Sequence, residues 1–248
     1  MITIALYNFK GGVGKTTSAV NLAYLASEDG KQTLLWDFDP QGSASYFCKV
    51  SAKIKGGAKN IMGGGKNDIL NAIKETDYPN LAVLPSDFSI RNMDIILDDT
   101  KKSKKKLKSI TDVFAKHYDY TFIDCPPGLS LLTEHIFHTA DYFIVPIIPS
   151  ILSVRTYHQV MDYFKKNDLD TKRILPFFSM VDIRKNIHKE TMHACFKSEP
   201  MILKTIIKYS SDIEKMGIEL APLPAFAPNS KSALAYKTLW KEIKKKIK

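Results

Sequence analysis

The sequence predicts an α/β fold, a mostly parallel sheet with helices on both faces. Three observations lead there. Short apolar runs recur along the whole chain and alternate with stretches whose apolar residues fall at helical spacing. Two of those runs end in aspartate, at Asp37 and Asp124. The first run leads directly into a glycine-rich segment and then a helix. Strand, crossover helix and strand in repetition imply parallel pairing, because a tight turn cannot connect parallel neighbours.

Ile2-Thr3-Ile4-Ala5-Leu6 reads as the first strand. Residues 17–28 follow as a helix with Ala19, Val20, Leu22, Ala23, Leu25 and Ala26 on its apolar side, stopped by Asp29-Gly30. Thr33 to Asp37 is the second strand, leading into Asp37-Phe38-Asp39-Pro40-Gln41-Gly42. Residues 51–67, rich in glycine and lysine, read as a mobile surface loop. A short helix is expected over 67–75, a strand over 81–85 and a helix over 87–97. The lysine-dense stretch from Lys101 to Lys108 continues into Ile110, Val113 and Phe114, as a helix with a basic outer face. Tyr120-Thr121-Phe122-Ile123-Asp124 is apolar almost throughout, which marks a buried parallel strand. Further strands are expected over 142–146, 174–180 and 203–207. A last helix is expected over 230–248, with Leu239, Trp240, Ile243 and Ile247 on one face.

The chemistry is concentrated in Lys10-Gly11-Gly12-Val13-Gly14-Lys15-Thr16-Thr17. Glycines let successive backbone N–H groups curl inward onto phosphate oxygens, and the helix that follows presents the positive end of its dipole. Lys15 is placed for the β- and γ-phosphates and the Thr16 hydroxyl for Mg²⁺. The usual pattern opens on glycine; here that position is Phe9, and Lys10 adds a cation that the turn itself does not need. The fold expected is therefore a single-domain P-loop NTPase fold over residues 1–248, long enough to bury a core. Ligands of such sheets lie beyond the carboxyl ends of the strands, where Lys15, Asp39 and Asp124 all fall. A carboxylate there can hold Mg²⁺, directly or through water, or orient an attacking water. Asp37 reads as support for that group, and Pro126-Pro127-Gly128 as a stiff loop able to sense a γ-phosphate.

Composition narrows the classes. Lys and Arg total 36 against 26 Asp and Glu, a net charge of +10, which suits nucleic acid, an anionic membrane or an acidic partner. No apolar run approaches the roughly 20 residues of a membrane span, and the start lacks signal-peptide character. Cys48, Cys125 and Cys195 are scattered, as free thiols in a reducing compartment would be. An electron-transfer ATPase would need paired interface cysteines, and Cys125 has no evident mate. An ATP-dependent ligase of small acids would need a substrate pocket that no cluster of basic and aromatic residues suggests. His135 and His138 are three apart on an expected helix, a spacing open to metal, but read here as surface or packing.

The loop with its leading lysine, the segment DFDPQGSAS, the strand YTFIDCPPG and the segment TADYFIVPIIPS resemble the ParA group of deviant Walker ATPases. Weaker likeness runs through SMVDIRKNIHKE, ILKTII and PLPAFAPNSKSALAYKTL, so it covers nearly the whole chain. No helix-turn-helix extension precedes the first strand, which matches the short form of the family. The resemblance implies ATP and Mg²⁺ as cofactors and a homodimer that sandwiches two nucleotides. It implies that Lys10 reaches the phosphates held by the other subunit and that Gly11, Gly12, Val13, Gly14, Lys15, Thr16 and Thr17 hold the nucleotide. Thr17 would contact the α-phosphate, Asp39 would position the hydrolytic water, and Thr16, Asp39 and Asp124 would serve the metal. It further implies slow ATP hydrolysis stimulated by an activating partner or cargo adaptor, non-specific DNA binding, and segregation or positioning of a plasmid, chromosome or protein assembly. A cytoplasmic, nucleoid-associated location follows from that role. Arg184, Lys185, Lys204 and Lys208, with the C-terminal lysines, are the expected DNA contacts. One departure is visible: where the family carries arginines in a P-R-x-V-R-type run, this chain has Lys208-Tyr209-Ser210-Ser211-Asp212. The other reading, a membrane-surface ATPase like the cell-division-site relatives, rests on the basic amphipathic end from Leu239 onward; a last helix packed on the domain is the reading favoured, so membrane contact is not expected.

Overall fold

The computed structural model describes residues 1–98 and 103–247. Eight strands form one sheet: β1 (Ile2–Leu6), β2 (Thr33–Asp37), β3 (Lys74–Glu75), β4 (Leu81–Leu84), β5 (Tyr120–Asp124), β6 (Tyr142–Ile147), β7 (Ile174–Val181) and β8 (Ile206–Lys208). Their order is β3-β4-β2-β5-β1-β6-β7-β8, and every pairing is parallel except β3 with β4. The interior strands β1, β2 and β5 are buried along almost their whole length, as the unbroken apolar runs required.

Register decides where the chemistry sits. Leu6 of β1 pairs with Asp124 of β5, and Asp124 pairs with Asp37 of β2. The two aspartates therefore stand level, beside the strand that feeds the glycine-rich loop. Each face of the sheet carries its own apolar core. One lies under the helices Ser103–Phe114, Leu131–Thr139, Ile151–Lys166 and Asn186–Ser198. The other lies under Lys15–Glu28 and Lys231–Lys244.

The last helix packs as expected. Leu239, Trp240 and Ile243 are buried, and Ile247 beyond its end is buried too. The Trp240 indole N–H donates to the Asp29 carboxylate at 2.8 Å, and Lys244 donates to the same oxygen at 2.5 Å. The apolar face that a lipid-surface role would present is thus inside the domain. No helix among the described residues is long and apolar enough to cross a membrane.

Four local expectations need correction. Residues 51–67 are not simply a loop: Gly57–Gly63 is a helix that buries Ala58, Ile61 and Met62, entered through Gly56 in the left-handed region (φ 79°). The helix expected over 67–75 spans Lys66–Ala72, and the chain then extends to pair as β3 along β4. The helix over 87–97 is a 3₁₀ turn, Phe88–Asn92, followed by Met93–Asp98; Asp87 nucleates the turn by accepting the Ser89 N–H at 2.7 Å. The strand over 203–207 begins only at Ile206. The Lys204 and Thr205 amides donate to the Glu242 carboxylate at 2.7 and 2.9 Å instead of to a strand ladder. In the lysine-rich stretch, Lys101 and Lys102 lie outside the described residues, and the helix Ser103–Phe114 buries Leu107, Ile110 and Phe114.

Ile243 is fully buried against the core of the second face. Ile243→Ala is expected to lower the unfolding free energy by about 2–5 kcal/mol, checked by urea unfolding of both proteins.

Candidate functional site

The glycine-rich loop leaves β1 through two anchored residues. The Tyr7 hydroxyl donates to the Gly128 carbonyl at 3.0 Å, and the Gly128 N–H returns to the Phe9 carbonyl at 2.9 Å. These bonds tie the Pro126-Pro127-Gly128 loop after β5 to the loop after β1. Asn8 is fully buried; its amide donates to the Pro146 carbonyl at 2.8 Å, and its oxygen accepts the Lys10 N–H at 2.9 Å. The backbone at Lys10 is therefore fixed from β6 by one side chain.

Gly12 and Gly14 have φ of 69° and 91°, which only glycine adopts without strain. At Gly14 a Cβ would also come within 2.9 Å of the Ser179 hydroxyl. A Cβ at Gly11 or Gly12 would meet nothing within 4 Å, so that side of the loop is open. The helix Lys15–Glu28 has no side-chain N-cap, and its first bond runs from Ser18 N–H to the Gly14 carbonyl at 3.1 Å. The N–H groups of Lys15, Thr16 and Thr17 consequently have no acceptor within the helix. A turn with that shape and polarity is built to take an anion.

Lys15 is nearly buried, and its ammonium donates to the Lys10 carbonyl at 2.9 Å. Burial pulls its pKa down, while Asp124, Cys125 and Asp39 oppose the fall. Asp124 lies at zero exposure, with neither carboxylate oxygen in hydrogen-bond geometry to a protein donor. Burial, then the charge of Asp37, pushes its pKa well up; the Thr16 hydroxyl and the Lys15 ammonium pull the other way. Cys125, next in the chain, is sealed beneath the same group.

Asp37 is also fully buried, but its carboxylate is already engaged. One oxygen accepts the Ser45 N–H and hydroxyl at 2.8 and 2.7 Å, and the other accepts the Asp39 N–H at 3.1 Å. Asp37 therefore holds the loop that presents Asp39. Asp39 is half-buried and accepts the Gln41 N–H at 2.9 Å in the turn closed at Gly42.

These residues fit a polyphosphate with a hard divalent cation. A buried carboxylate without a donor and a facing hydroxyl are oxygen ligands of the type Mg²⁺ takes. Among the described residues no group of three or more His, Cys, Asp or Glu could hold a metal alone. A cation here would lean on Thr16, Asp124, water and the phosphates themselves, as Mg²⁺ does at nucleotide sites. His135 is buried in its helix and His138 is exposed.

A mostly apolar cavity of about 300 Å³ adjoins the loop, bounded by Gly12, Gly14 and Thr17 on one side and Phe47, Ile207 and Tyr236 on the other. β7 bulges beside it, with Met180 at φ 53°. The expected polyanion contacts differ in their surroundings. Arg184 is highly exposed but forks onto Asp182, with both bonds 2.9 Å. Lys185 precedes the helix Asn186–Ser198. The Lys204 ammonium sits 4.8 Å over the Phe196 ring, and Lys208 borders the cavity beside the loop. Sequence reasoning missed Asn8, Ser45 and Asn21. Asn21 accepts the Leu223 N–H at 2.8 Å and donates to the Thr17 carbonyl at 2.9 Å, joining the loop helix to the C-terminal region. Nothing in their spacing marks them.

Comparison with known proteins gives a consistent result. A family model described as an AAA domain matches residues 1–177. The chain is similar to the chromosome-partitioning ATPase Soj of Treponema pallidum, at 30% identity over 247 residues, covering 97% of this chain and 96% of the relative. It is similar to the sporulation initiation inhibitor protein Soj of Bacillus subtilis, at 29% identity over 246 residues and 97% of each chain. Among solved structures, a putative plasmid partition protein from Borrelia burgdorferi bound to AMPPNP superposes with a TM-score of 0.85, at 25% identity and 99% of each chain.

Burial pushes the Asp37 carboxyl up to about 6, against the hydrogen bonds from Ser45 and Asp39. A folded-state pKa above the unfolded one gives stability that is complete below about pH 4 and is lost as pH rises through about 6. Asp37→Asn removes that loss. Denaturant unfolding from pH 4 to 7 is expected to show the wild type falling relative to the variant by on the order of 2–3 kcal/mol. A difference independent of pH would show that Asp37 does not titrate in that window.

Proposed function

The chain belongs to the AAA-domain family, in the ParA/MinD superfamily of ATPases, and on that premise we propose that it is a ParA-type partition or positioning ATPase. In this reading it binds ATP with Mg²⁺, closes into a sandwich dimer, binds DNA without sequence preference, and hydrolyses ATP when a partner stimulates it. Its cargo is a plasmid, a chromosome or a protein assembly. It works in the cytoplasm, on the nucleoid, as one domain over residues 1–248.

The observation that carries the reading is Lys10. Its N–H and its carbonyl are both pinned at the mouth of the phosphate loop, by Asn8 and by Lys15. Its side chain is exposed, and among the described residues the ammonium makes no ion pair or hydrogen bond. A cation held at that point and unused within its own chain suits the phosphates of a second protomer. Two triphosphates facing each other repel, and one lysine from each side offsets that repulsion. The surroundings support the same face as an interface. Phe88, Leu129, Ile151, Leu152, Ile183 and Ile187 are all exposed, and all lie in segments that follow carboxyl ends of strands.

The geometry supports a division of labour. The loop amides and Lys15 bind the phosphates. Thr16 and Asp124 hold Mg²⁺, which supplies charge neutralisation of the γ-phosphate when bound. Asp39 orients the attacking water from its half-buried turn. The apolar cavity beside Gly12 and Thr17 receives the base, and the binding of AMPPNP by the similar Borrelia protein supports adenine as that base. The Treponema relative, a chromosome-partitioning ATPase, supports partition as the role. The net charge of +10 supports attachment to a phosphate backbone, which weakens steeply with salt.

Lys10→Ala is expected to leave ATP binding within a few-fold of wild type but to abolish ATP-dependent dimerisation, read by sedimentation with ATP, ADP and no nucleotide. Unaltered dimerisation and turnover would refute the cross-subunit role. Asp39→Ala is expected to trap the ATP-bound dimer and to slow hydrolysis by roughly 100-fold or more, the scale on which losing one charge-orienting group falls. Normal turnover would show that another group orients the water.

A further inference from the structure

A polar cleft of about 660 Å³ opens at the amino-terminal edge of the sheet. Met1 and Ile2 enter β1 there and Tyr142 begins β6, so the cleft lies at the opposite edge from the phosphate loop. Three segments far apart in sequence deliver lysines to it. Lys108 comes from the helix Ser103–Phe114, Lys172 from the 3₁₀ turn Thr171–Arg173, and Lys246 from just beyond the last helix. All three are exposed, and among the described residues none of their ammonium groups makes an ion pair or hydrogen bond.

The two carboxylates in the cleft each accept a backbone N–H and flank Arg173. Asp141 accepts the Thr3 N–H at 2.8 Å, and Asp170 accepts the Lys172 N–H at 2.9 Å. Arg173 braces the wall. Its guanidinium donates to the carbonyls of Phe137, Ala140 and Asp141 at the end of the helix Leu131–Thr139, and it packs over the Phe143 ring. The cleft is thus a concave surface in which three lysines and Arg173 outnumber the two carboxylates.

We propose that this cleft holds the phosphodiester backbone of DNA. The proposal rests on the DNA-binding part of the function above and gives that activity a surface. A ridge of phosphates fits a concave polar cleft with ammonium groups on separate walls, and such contacts are positional and blind to sequence. A lipid surface fits it less well, because Leu239, Trp240, Ile243 and Ile247 beside it are buried and leave no apolar side chain to insert. Two of the four contacts expected from the sequence are already committed: Arg184 is forked onto Asp182, and Lys204 lies against Phe196. Because the cleft and the phosphate loop lie at opposite edges, DNA and nucleotide would occupy separate surfaces.

The test compares wild type with Lys108→Gln/Lys172→Gln/Lys246→Gln and with Arg184→Gln/Lys185→Gln. Affinity for a short random-sequence duplex is measured in the presence of ATP across salt concentrations. The cleft variant is expected to lose at least about tenfold in affinity at low salt, and its log–log salt slope should shrink by about 2–3, near 0.9 for each phosphate contact removed. Its thermal midpoint and its DNA-free ATP hydrolysis should match wild type. The Arg184/Lys185 variant should keep the wild-type slope. A cleft variant with wild-type affinity and slope overturns the proposal and leaves DNA binding itself standing. A wild type that hydrolyses ATP but binds no duplex overturns both. Binding to phosphatidylserine vesicles but not to duplex, lost in the cleft variant, would assign the cleft to a membrane surface instead.

Discussion

The site depends on one costly arrangement: a lysine and two aspartates buried together at the ends of adjoining strands. Isolated charges of this kind are expensive to bury. Parallel register forces the proximity, since Leu6, Asp124 and Asp37 are level across β1, β5 and β2. The fold meets the cost unevenly. Asp37 receives three hydrogen bonds from Ser45 and Asp39, and Lys15 gives one to the Lys10 carbonyl. Asp124 receives no well-formed bond, and its carboxyl is pushed well above the usual range. That imbalance is the strongest physical sign that the arrangement is made for an added cation and its phosphates.

Around that centre, the loops are held by single polar side chains that each bridge two segments. Asn8 joins β6 to Lys10, Tyr7 joins the loop after β1 to the loop after β5, and Ser45 joins Asp37 to the Ser86 N–H. Asn21 extends the network to the C-terminal region through Leu223.

Much of this was legible in the sequence, for definite reasons. Buried parallel strands are apolar along their length, so β1, β2, β5, β6 and β7 announce themselves. The phosphate loop is a local motif whose glycines and lysine must be adjacent in the chain, and the aspartates ending β2 and β5 are marked by their place. What escaped is what depends on distant partners. Asn8 is one asparagine among several until its contact with Pro146 is seen, and the ammonium cleft draws Lys108, Lys172 and Lys246 from positions that no local pattern connects. The glycines at 56–57 and 63–65 suggest a loop, whereas Gly57 opens and Gly63 closes a short helix whose Ile61 and Met62 reach the core. The late start of β8 was invisible because Glu242 takes two amides that a strand would otherwise use.

Cys125 follows Asp124 and is sealed with it, at zero exposure. Its thiol is pushed well above its ordinary range, chiefly by burial and then by the neighbouring carboxylate. An alkylating reagent can reach that sulfur only when the packing around it opens. The rate at which this one atom is modified is therefore an intrinsic clock for local opening, requiring no introduced label, and its slowing on addition of nucleotide would time the closing of the site.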